Sequence, residues 1–160
     1  MQLRKAIQTL CDAGVEFVVI GGVAAVHHGS AHVTFDLDIC YSQSQPNLRR
    51  LASALAPFHP RPRAFPADLP FVWDEVTLRN ATVFTLESDL GGIDLLAEVA
   101  GVGSYGDALA HSTIVEDFDR RFAMLNLRSL IESKRAANRV KDQLILPELE
   151  ALLEAQEPPE

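Results

Sequence analysis

The chain has 160 residues, of which 48% are hydrophobic, and 14 basic against 22 acidic residues give it a formal net charge of −8. This length and composition predict one soluble domain over residues 1–156, with a frayed tail over residues 157–160. The acidic balance argues against a broad, charge-driven grip on nucleic acid, but it leaves room for a nucleotide bound through a metal ion. No apolar run approaches the roughly 18 residues that span a bilayer, and the N-terminus lacks a signal-peptide pattern. We therefore expect a cytoplasmic protein with no membrane partner.

Hydrophobic periodicity predicts a mixed α/β order of elements along the chain. The expected elements are a helix over 3–14, a strand over 15–20, a short helix over 23–28, a strand over 33–41, a helix over 46–56, an irregular proline-rich loop over 57–70, strands over 76–78, 83–86 and 93–99, a helix over 127–138 and a last helix from near Pro147. The strands over 83–86 and 93–99 flank a turn at 89–92 and are expected to pair as a hairpin. The two cysteines, Cys11 and Cys40, lack the spacing of a zinc site and are expected to be small core residues.

Two aspartates stand two residues apart inside the second predicted strand. Alternation along a strand points the side chains of Asp36 and Asp38 to one face, roughly 6–7 Å apart along the strand. Two carboxylates beside an apolar strand repel each other and lose hydration, and a divalent cation such as Mg²⁺ removes that cost. The alternative is that both residues lie on the wet face of an edge strand.

Gly21 and Gly22 follow the first predicted strand, where backbone N–H groups without a neighbouring Cβ suit a phosphate group. An ordinary tight connection between strand and helix explains the pair equally well. Asp94, on the second strand of the predicted hairpin, is the candidate for a third carboxylate that would let two metal ions act together. The alternative for Asp94 is a solvent-facing strand position, and Glu98, on the same face, ranks below it.

These residues resemble the signature of the DNA polymerase beta nucleotidyltransferase superfamily: a Gly-Gly or Gly-Ser turn, then D-x-D, then a third acid on a later strand. The sequence is also similar to small bacterial nucleotidyltransferase-like proteins related to AbiEii-type toxins. That similarity rests on GGVAAVHHGSAHVTFDLD over residues 21–38 and LIESKRAANRVKD over residues 130–142. The resemblance implies a nucleotidyltransferase fold, with a small mixed sheet flanked by helices and further helices at the C-terminus.

The resemblance also implies an activity, a cofactor and a set of site residues. Asp36, Asp38 and Asp94 would be the catalytic carboxylates and would hold Mg²⁺ (or Mn²⁺), and Gly21 and Gly22 would place the phosphates of an NTP such as ATP. An NMP group would pass to a hydroxyl of an acceptor, which could be tRNA, a protein or a small molecule, and a toxin–antitoxin role with a cognate partner protein would fit.

Three further residues are candidates for nucleotide binding. By resemblance Lys134 reaches the nucleotide phosphates, with a solvated lysine as the alternative. Thr34 shares a strand face with the two aspartates, where it either orients a ligand or pairs across strands. His32 stands where relatives usually carry arginine, and because histidine is mostly neutral at pH 7 this substitution weakens or retunes triphosphate binding. The rival hypothesis is therefore a protein with a nucleotidyltransferase fold and a weak or inactive site, which serves as a binding or regulatory protein.

Overall fold

A seven-stranded mixed sheet forms the centre of the structure, a computed structural model that describes residues 1–157. Its strands are β1 (Phe17–Ile20), β2 (Asp36–Tyr41), β3 (Arg61–Pro62), β4 (Val83–Ser88), β5 (Gly91–Leu96), β8 (Ser112–Asp117) and β9 (Arg120–Leu125), while β6 (Glu98–Val99) and β7 (Gly103–Ser104) pair separately. The α-helices are α1 (Leu3–Asp12), α2 (Gly21–His27), α3 (Gln45–Leu55), α4 (Glu75–Arg79), α5 (Tyr105–Ala110), α6 (Leu127–Ala137) and α7 (Val140–Gln156). A short 3-10 helix (Ala56–Phe58) follows α3. No helix within residues 1–157 is long and apolar enough to cross a bilayer.

The order of strands across the sheet is β3-β4-β5-β2-β1-β9-β8. Strand β2 runs antiparallel to β1 and parallel to β5. In this register Asp38 is opposite Ile20 on one side and opposite Asp94 on the other. The end of β1, the second aspartate of the D-x-D pair and the third aspartate therefore lie in one row across three neighbouring strands.

Apolar residues at strand and helix periodicity build the core around this row. All four residues of β1 are buried, and in β2 the buried Leu37 and Ile39 alternate with the two aspartates. Helix α1 buries Ala6, Ile7 and Leu10, which recur on one face. The mixed α/β prediction and the alternation in β2 are confirmed.

Local capping explains where several helices begin. The Ser44 side chain accepts a hydrogen bond from the Asn47 backbone N–H at 3.4 Å at the start of α3. The Asn126 side chain accepts one from the Ser129 N–H at 2.8 Å at the start of α6. These caps bring both helices within one or two residues of their predicted boundaries, and the predicted hairpin forms from β4 and β5.

Three predicted elements need correction, and one hairpin was missed. Residues 76–78 form part of α4 and not a strand, because Asp74 caps that helix by accepting from the Thr77 N–H at 2.8 Å. The last helix begins at Val140 and continues through Pro147. The proline-rich loop contains β3, which pairs with β4. The hairpin of β8 and β9 was not predicted. Of the predicted tail, Glu157 pairs with Arg128, and residues 158–160 lie outside the described residues.

Candidate active site

Asp38 and Asp94 are register partners on the adjacent parallel strands β2 and β5, and their side chains line one cavity of about 350 Å³. Burial, and to a lesser extent the negative charge of Asp94, raises the pKa of Asp38 from 3.8 to about 7. When protonated, Asp38 hydrogen-bonds to Asp94, which adds to the shift. The sequence thus places an acid on an interior row of the sheet, not on the wet edge of an outer strand.

The Gly-Gly pair packs directly against this row. Gly21 has φ +65°, and a Cβ at this position would overlap Asp38 Oδ2. A Cβ at Gly22 would lie 2.6 Å from Thr34 Oγ1, which itself donates a hydrogen bond to the Asp36 carbonyl at 3.1 Å. Glycine is required at both positions because other side chains occupy the space that a Cβ would take. The predicted strand over 33–41 begins only at Asp36, so Thr34 precedes β2 and is not the strand residue that the alternation assumed, although it lies against Gly22.

Three basic residues line the same cavity as Asp38 and Asp94. They are Lys134 on α6, Arg139 between α6 and α7, and Lys141 on α7. Lys134 is only 12% exposed, and its Nζ lies 3.3 Å from Asp142 Oδ1. The positive charges of Lys134 and Lys141 partly offset the rise in the pKa of Asp38. The cavity therefore combines two facing carboxylates with a cationic wall, which suits a phosphate chain that bridges the two.

Asp142 is the counter-ion of two of these basic residues, Lys134 and Arg139. In the sequence, surface or cap interactions at the end of a helix are the simplest interpretation of Arg139, Lys141 and Asp142, but Asp142 is fully buried. Its carboxylate accepts from Arg139 Nε at 2.7 Å and from the Arg139 backbone N–H at 3.1 Å. Burial raises the pKa of Asp142, but the Arg139 hydrogen bonds and the Lys134 charge outweigh burial and lower it. The cap was foreseen, whereas the burial and the link to Lys134 were not.

Arg63 is the residue that sequence reasoning undervalued. Its Nη2 lies 3.1 Å from Asp94 Oδ1 and 3.7 Å from Asp36 Oδ1. In the sequence Arg63 lies in the predicted proline-rich loop over 57–70, where an exposed side chain is the simplest interpretation. No periodic pattern marks it, because its position depends on the pairing of the two-residue strand β3 with β4.

His32 makes its contacts away from Asp36, Asp38 and Asp94, which together are called the acid row. Its Nδ1 lies 3.4 Å from Glu148 Oε1 on α7. The same Glu148 carboxylate accepts hydrogen bonds from the Ser30 hydroxyl and, at 3.1 Å, from the Ala31 N–H. His32 thus belongs to a contact that ties the segment before β2 to α7. Glu98, ranked below Asp94 in the sequence, is exposed on β6.

The carboxylates of Asp38 and Asp94 fit a divalent cation. Asp36 would fit as a third ligand only if it turned away from Arg63. Two carboxylates in register at the base of a cavity are ligands that Mg²⁺ prefers, usually with phosphate oxygens and water. Burial and the charge of Asp94 make ionised Asp38 unfavourable, and a bound cation would remove that free-energy cost. Within residues 1–157 no three His, Cys, Asp or Glu side chains already stand in a geometry that would hold one ion. Asp36 faces the Arg63 guanidinium instead.

A solved structure shares the overall fold of this chain. The chain is similar in structure to a Thermotoga maritima protein, described with its crystal structure as a "putative nucleotidyltransferase", with a TM-score of 0.57 and 14% sequence identity. The match covers 93% of this chain and 90% of that chain. No protein-family model and no curated protein matches the sequence. At this identity the likeness establishes the fold, and the function has to be argued from the site.

Proposed function

We propose that this protein is a metal-dependent nucleotidyltransferase that moves an NMP group from an NTP to a hydroxyl acceptor. One observation carries the proposal: Asp38 and Asp94 face Lys134, Arg139 and Lys141 across a single cavity. Buried like charges cost stability, and a chain tolerates them mainly where a ligand uses them. A triphosphate with a divalent cation has the charge pattern that matches both walls.

In the proposed reaction the acceptor oxygen attacks the α-phosphorus of the NTP. The bond from that phosphorus to the bridging oxygen of the β-phosphate breaks, and pyrophosphate leaves. Asp94 is proposed to help take the proton of the acceptor hydroxyl. The chain needs no covalent nucleophile, since positioning and charge neutralisation supply most of the catalysis.

Mg²⁺ or Mn²⁺, held by Asp36, Asp38 and Asp94, would neutralise charge on the phosphates and the attacking oxygen. Lys134 and the Gly21-Gly22 turn are proposed to hold the phosphates that leave. Lys134 is fixed for this role because its ammonium group is nearly buried against Asp142. His32 has no such role in the proposal, since its contacts are with Glu148.

The acceptor is proposed to be tRNA, a protein or a small molecule, in a toxin–antitoxin setting with a partner protein. The net charge of −8 gives RNA no long-range attraction. An RNA acceptor would therefore have to be held by local contacts, which makes a protein or small-molecule acceptor equally worth testing.

The test is label transfer from NTPs that carry ³²P at the α- or the γ-phosphate, with Mg²⁺ or Mn²⁺ and separate tRNA and protein acceptor fractions. Label from the α-phosphate should become covalently attached, and label from the γ-phosphate should not. Asp38→Asn and Asp94→Asn should lose transfer while their circular dichroism spectra remain native, and Glu98→Gln is the matched control that should keep it. Transfer that survives Asp94→Asn would refute the proposal.

The rival function, a binding protein with a weak or inactive site, is favoured by one observation. Arg63 occupies the face of Asp36 and Asp94 that a metal ion would need. Thermal melts with an NTP, with and without Mg²⁺, separate the two functions, because a ligand that binds the native state raises its apparent stability. Stabilisation by NTP that does not depend on Mg²⁺, with no label transfer, would favour the binding protein.

A further inference from the structure

The Arg63 guanidinium is the only basic group with an ion-pair contact to Asp36 or Asp94 among the described residues. A single nitrogen, Nη2, serves both carboxylates, at 3.7 Å from Asp36 Oδ1 and 3.1 Å from Asp94 Oδ1. A positive charge already stands between these two ligands of the proposed metal site. The two carboxylates cannot both turn toward a metal ion while they hold the guanidinium.

Gly92 makes room for this arrangement. It is the register partner of Asp36 on β5, and a Cβ there would overlap Asp36 Oδ1 and lie 2.8 Å from Arg63 Nη2. Any other residue at position 92 would push the carboxylate and the guanidinium apart. The absence of a side chain at this one point of the strand is what lets the ion pair form over the sheet.

Arg63 also has partners other than Asp36 and Asp94. Its Nη2 donates to the Leu86 carbonyl at 3.1 Å, and its Nε lies 3.6 Å from Glu87 Oε2. Its backbone is fixed by a hydrogen bond from its N–H to the Thr85 carbonyl at 2.8 Å. The side chain is 37% exposed. A fixed backbone, a half-exposed side chain and an acid outside the cavity allow the guanidinium to leave Asp36 and Asp94 without losing every partner.

We propose that Arg63 occupies the metal site in the metal-free protein, neutralising Asp36 and Asp94, and must turn away toward Glu87 before a divalent cation can bind. Arg63 is thus a positioning residue that competes with the metal ion for its ligands. The inference rests on the proposed function for the identity of the ligand, a divalent cation at the acid row, but it concerns binding and not transfer.

The test is Mn²⁺ binding to the full chain, measured by calorimetry and by electron paramagnetic resonance of free Mn²⁺. Arg63→Gln should bind Mn²⁺ about fivefold to tenfold more tightly than the wild type, because a competing ion pair and a nearby positive charge are gone. Arg61→Gln is the matched control. It removes the same charge two residues away, where Arg61 donates to the Pro66 and Leu69 carbonyls at 3.2 and 3.0 Å, and it should change the affinity less than twofold.

A second measurement uses the wild type alone, so that it does not depend on how a variant folds. In ¹⁵N-resolved spectra the Nε–Hε signal of Arg63 should shift when Mg²⁺ is added, while that of Arg61 should not. Wild-type binding that Arg63→Gln leaves unchanged or weakens would overturn the inference and leave the proposed function standing, as would an Arg63 signal unmoved at saturating Mg²⁺. Absence of Mn²⁺ binding in every variant would overturn both.

Discussion

Replacing Asp38 with asparagine is expected to stabilise the metal-free protein at pH 8 while it abolishes the proposed nucleotide transfer. Asp38 is buried beside Asp94, and this raises its pKa from 3.8 to about 7. At pH 8 the folded protein must therefore hold a charge that its surroundings disfavour. Asparagine has nearly the same shape and can still hydrogen-bond to Asp94, but it carries no charge.

The size of the effect follows from the pKa shift. Each pKa unit corresponds to about 1.4 kcal/mol, so the shift of Asp38 amounts to a cost on the order of 4 kcal/mol at pH 8. The shift already includes the opposing attraction of Lys134 and Lys141, and we expect a gain of about 2–4 kcal/mol in the free energy of unfolding, roughly 5–10 °C in Tm for a chain of this length.

The raised pKa of Asp38 also determines the direction in which the stability of the wild type changes with pH. Between about pH 4 and 7 the folded protein binds more protons at Asp38 than the unfolded chain does, so wild-type stability falls as the pH rises through that window. The difference between Asp38→Asn and the wild type should then be small at pH 4.5, grow toward pH 7 and stay constant above it.

Urea unfolding in EDTA at pH 4.5, 6, 7 and 8 measures this difference. Asp36→Asn is the control, since Asp36 is 41% exposed and loss of its ion pair should cost at most about 1 kcal/mol. An Asp38→Asn protein that is less stable than the wild type at pH 8, or a difference that does not change with pH, would refute the reasoning. Added Mg²⁺ should narrow the gap, because it stabilises only the wild-type carboxylate.

Three further predictions concern the scaffold of the site. Gly21→Ala forces a non-glycine residue to φ +65° and a Cβ against Asp38, and we expect a loss of about 2 kcal/mol or more in a thermal melt, whereas no loss would mean the turn relaxes freely. Asp142→Asn leaves the nearly buried Lys134 ammonium group without its counter-ion and should cost about 3 kcal/mol at pH 7 in urea unfolding. Because the pKa of Asp142 is lowered, that cost should shrink below about pH 4, and a cost constant with pH would count against the ion pair. Glu148→Ala should leave global stability within about 1 kcal/mol but speed amide exchange in residues 30–32, and unchanged exchange would show that Glu148 does not tie down this segment.

The sequence predicted the acid row because its signals are local. Aspartates in a strong strand pattern, a Gly-Gly pair after a buried strand and a third aspartate in a hairpin can each be recognised within a few residues. Strand alternation then gave the shared face of Asp36 and Asp38. What joins Asp94 to them is the parallel pairing of β2 with β5, which was not predicted because periodicity within one strand does not determine its neighbours.

The errors arose where local preferences were weak or misleading. Val76 and Thr77 are β-branched, yet the Asp74 cap starts a five-residue helix there. The turn between β8 and β9 has no glycine or asparagine, and Phe118 and Asp119 adopt positive φ at 52° and 60°, so the usual hairpin signal is missing. Pro147 looks like a helix start but lies inside α7, which tolerates the loss of one backbone hydrogen bond.

Arg63 and Asp142 could not be found from the sequence for a different reason. Each acts through contacts between segments that only the completed sheet and the last two helices bring together. Arg63 reaches Asp94 over a separation of 31 residues, and the burial of Asp142 depends on how α7 packs on α6. A charged residue without a periodic neighbourhood looks like a solvated one until its partners are known.

The distribution of charge along the chain has a consequence for synthesis. Asp36, Asp38 and Asp94 all precede the end of β9 at Leu125, whereas Lys134, Arg139 and Lys141 all follow it. A ribosome-bound chain that has emerged only through β9 contains the mutually repelling carboxylates but none of the three basic residues of the opposite wall. Residues 126–160 therefore supply the basic side of this cavity, and its electrostatic balance is completed only after β9 has been made.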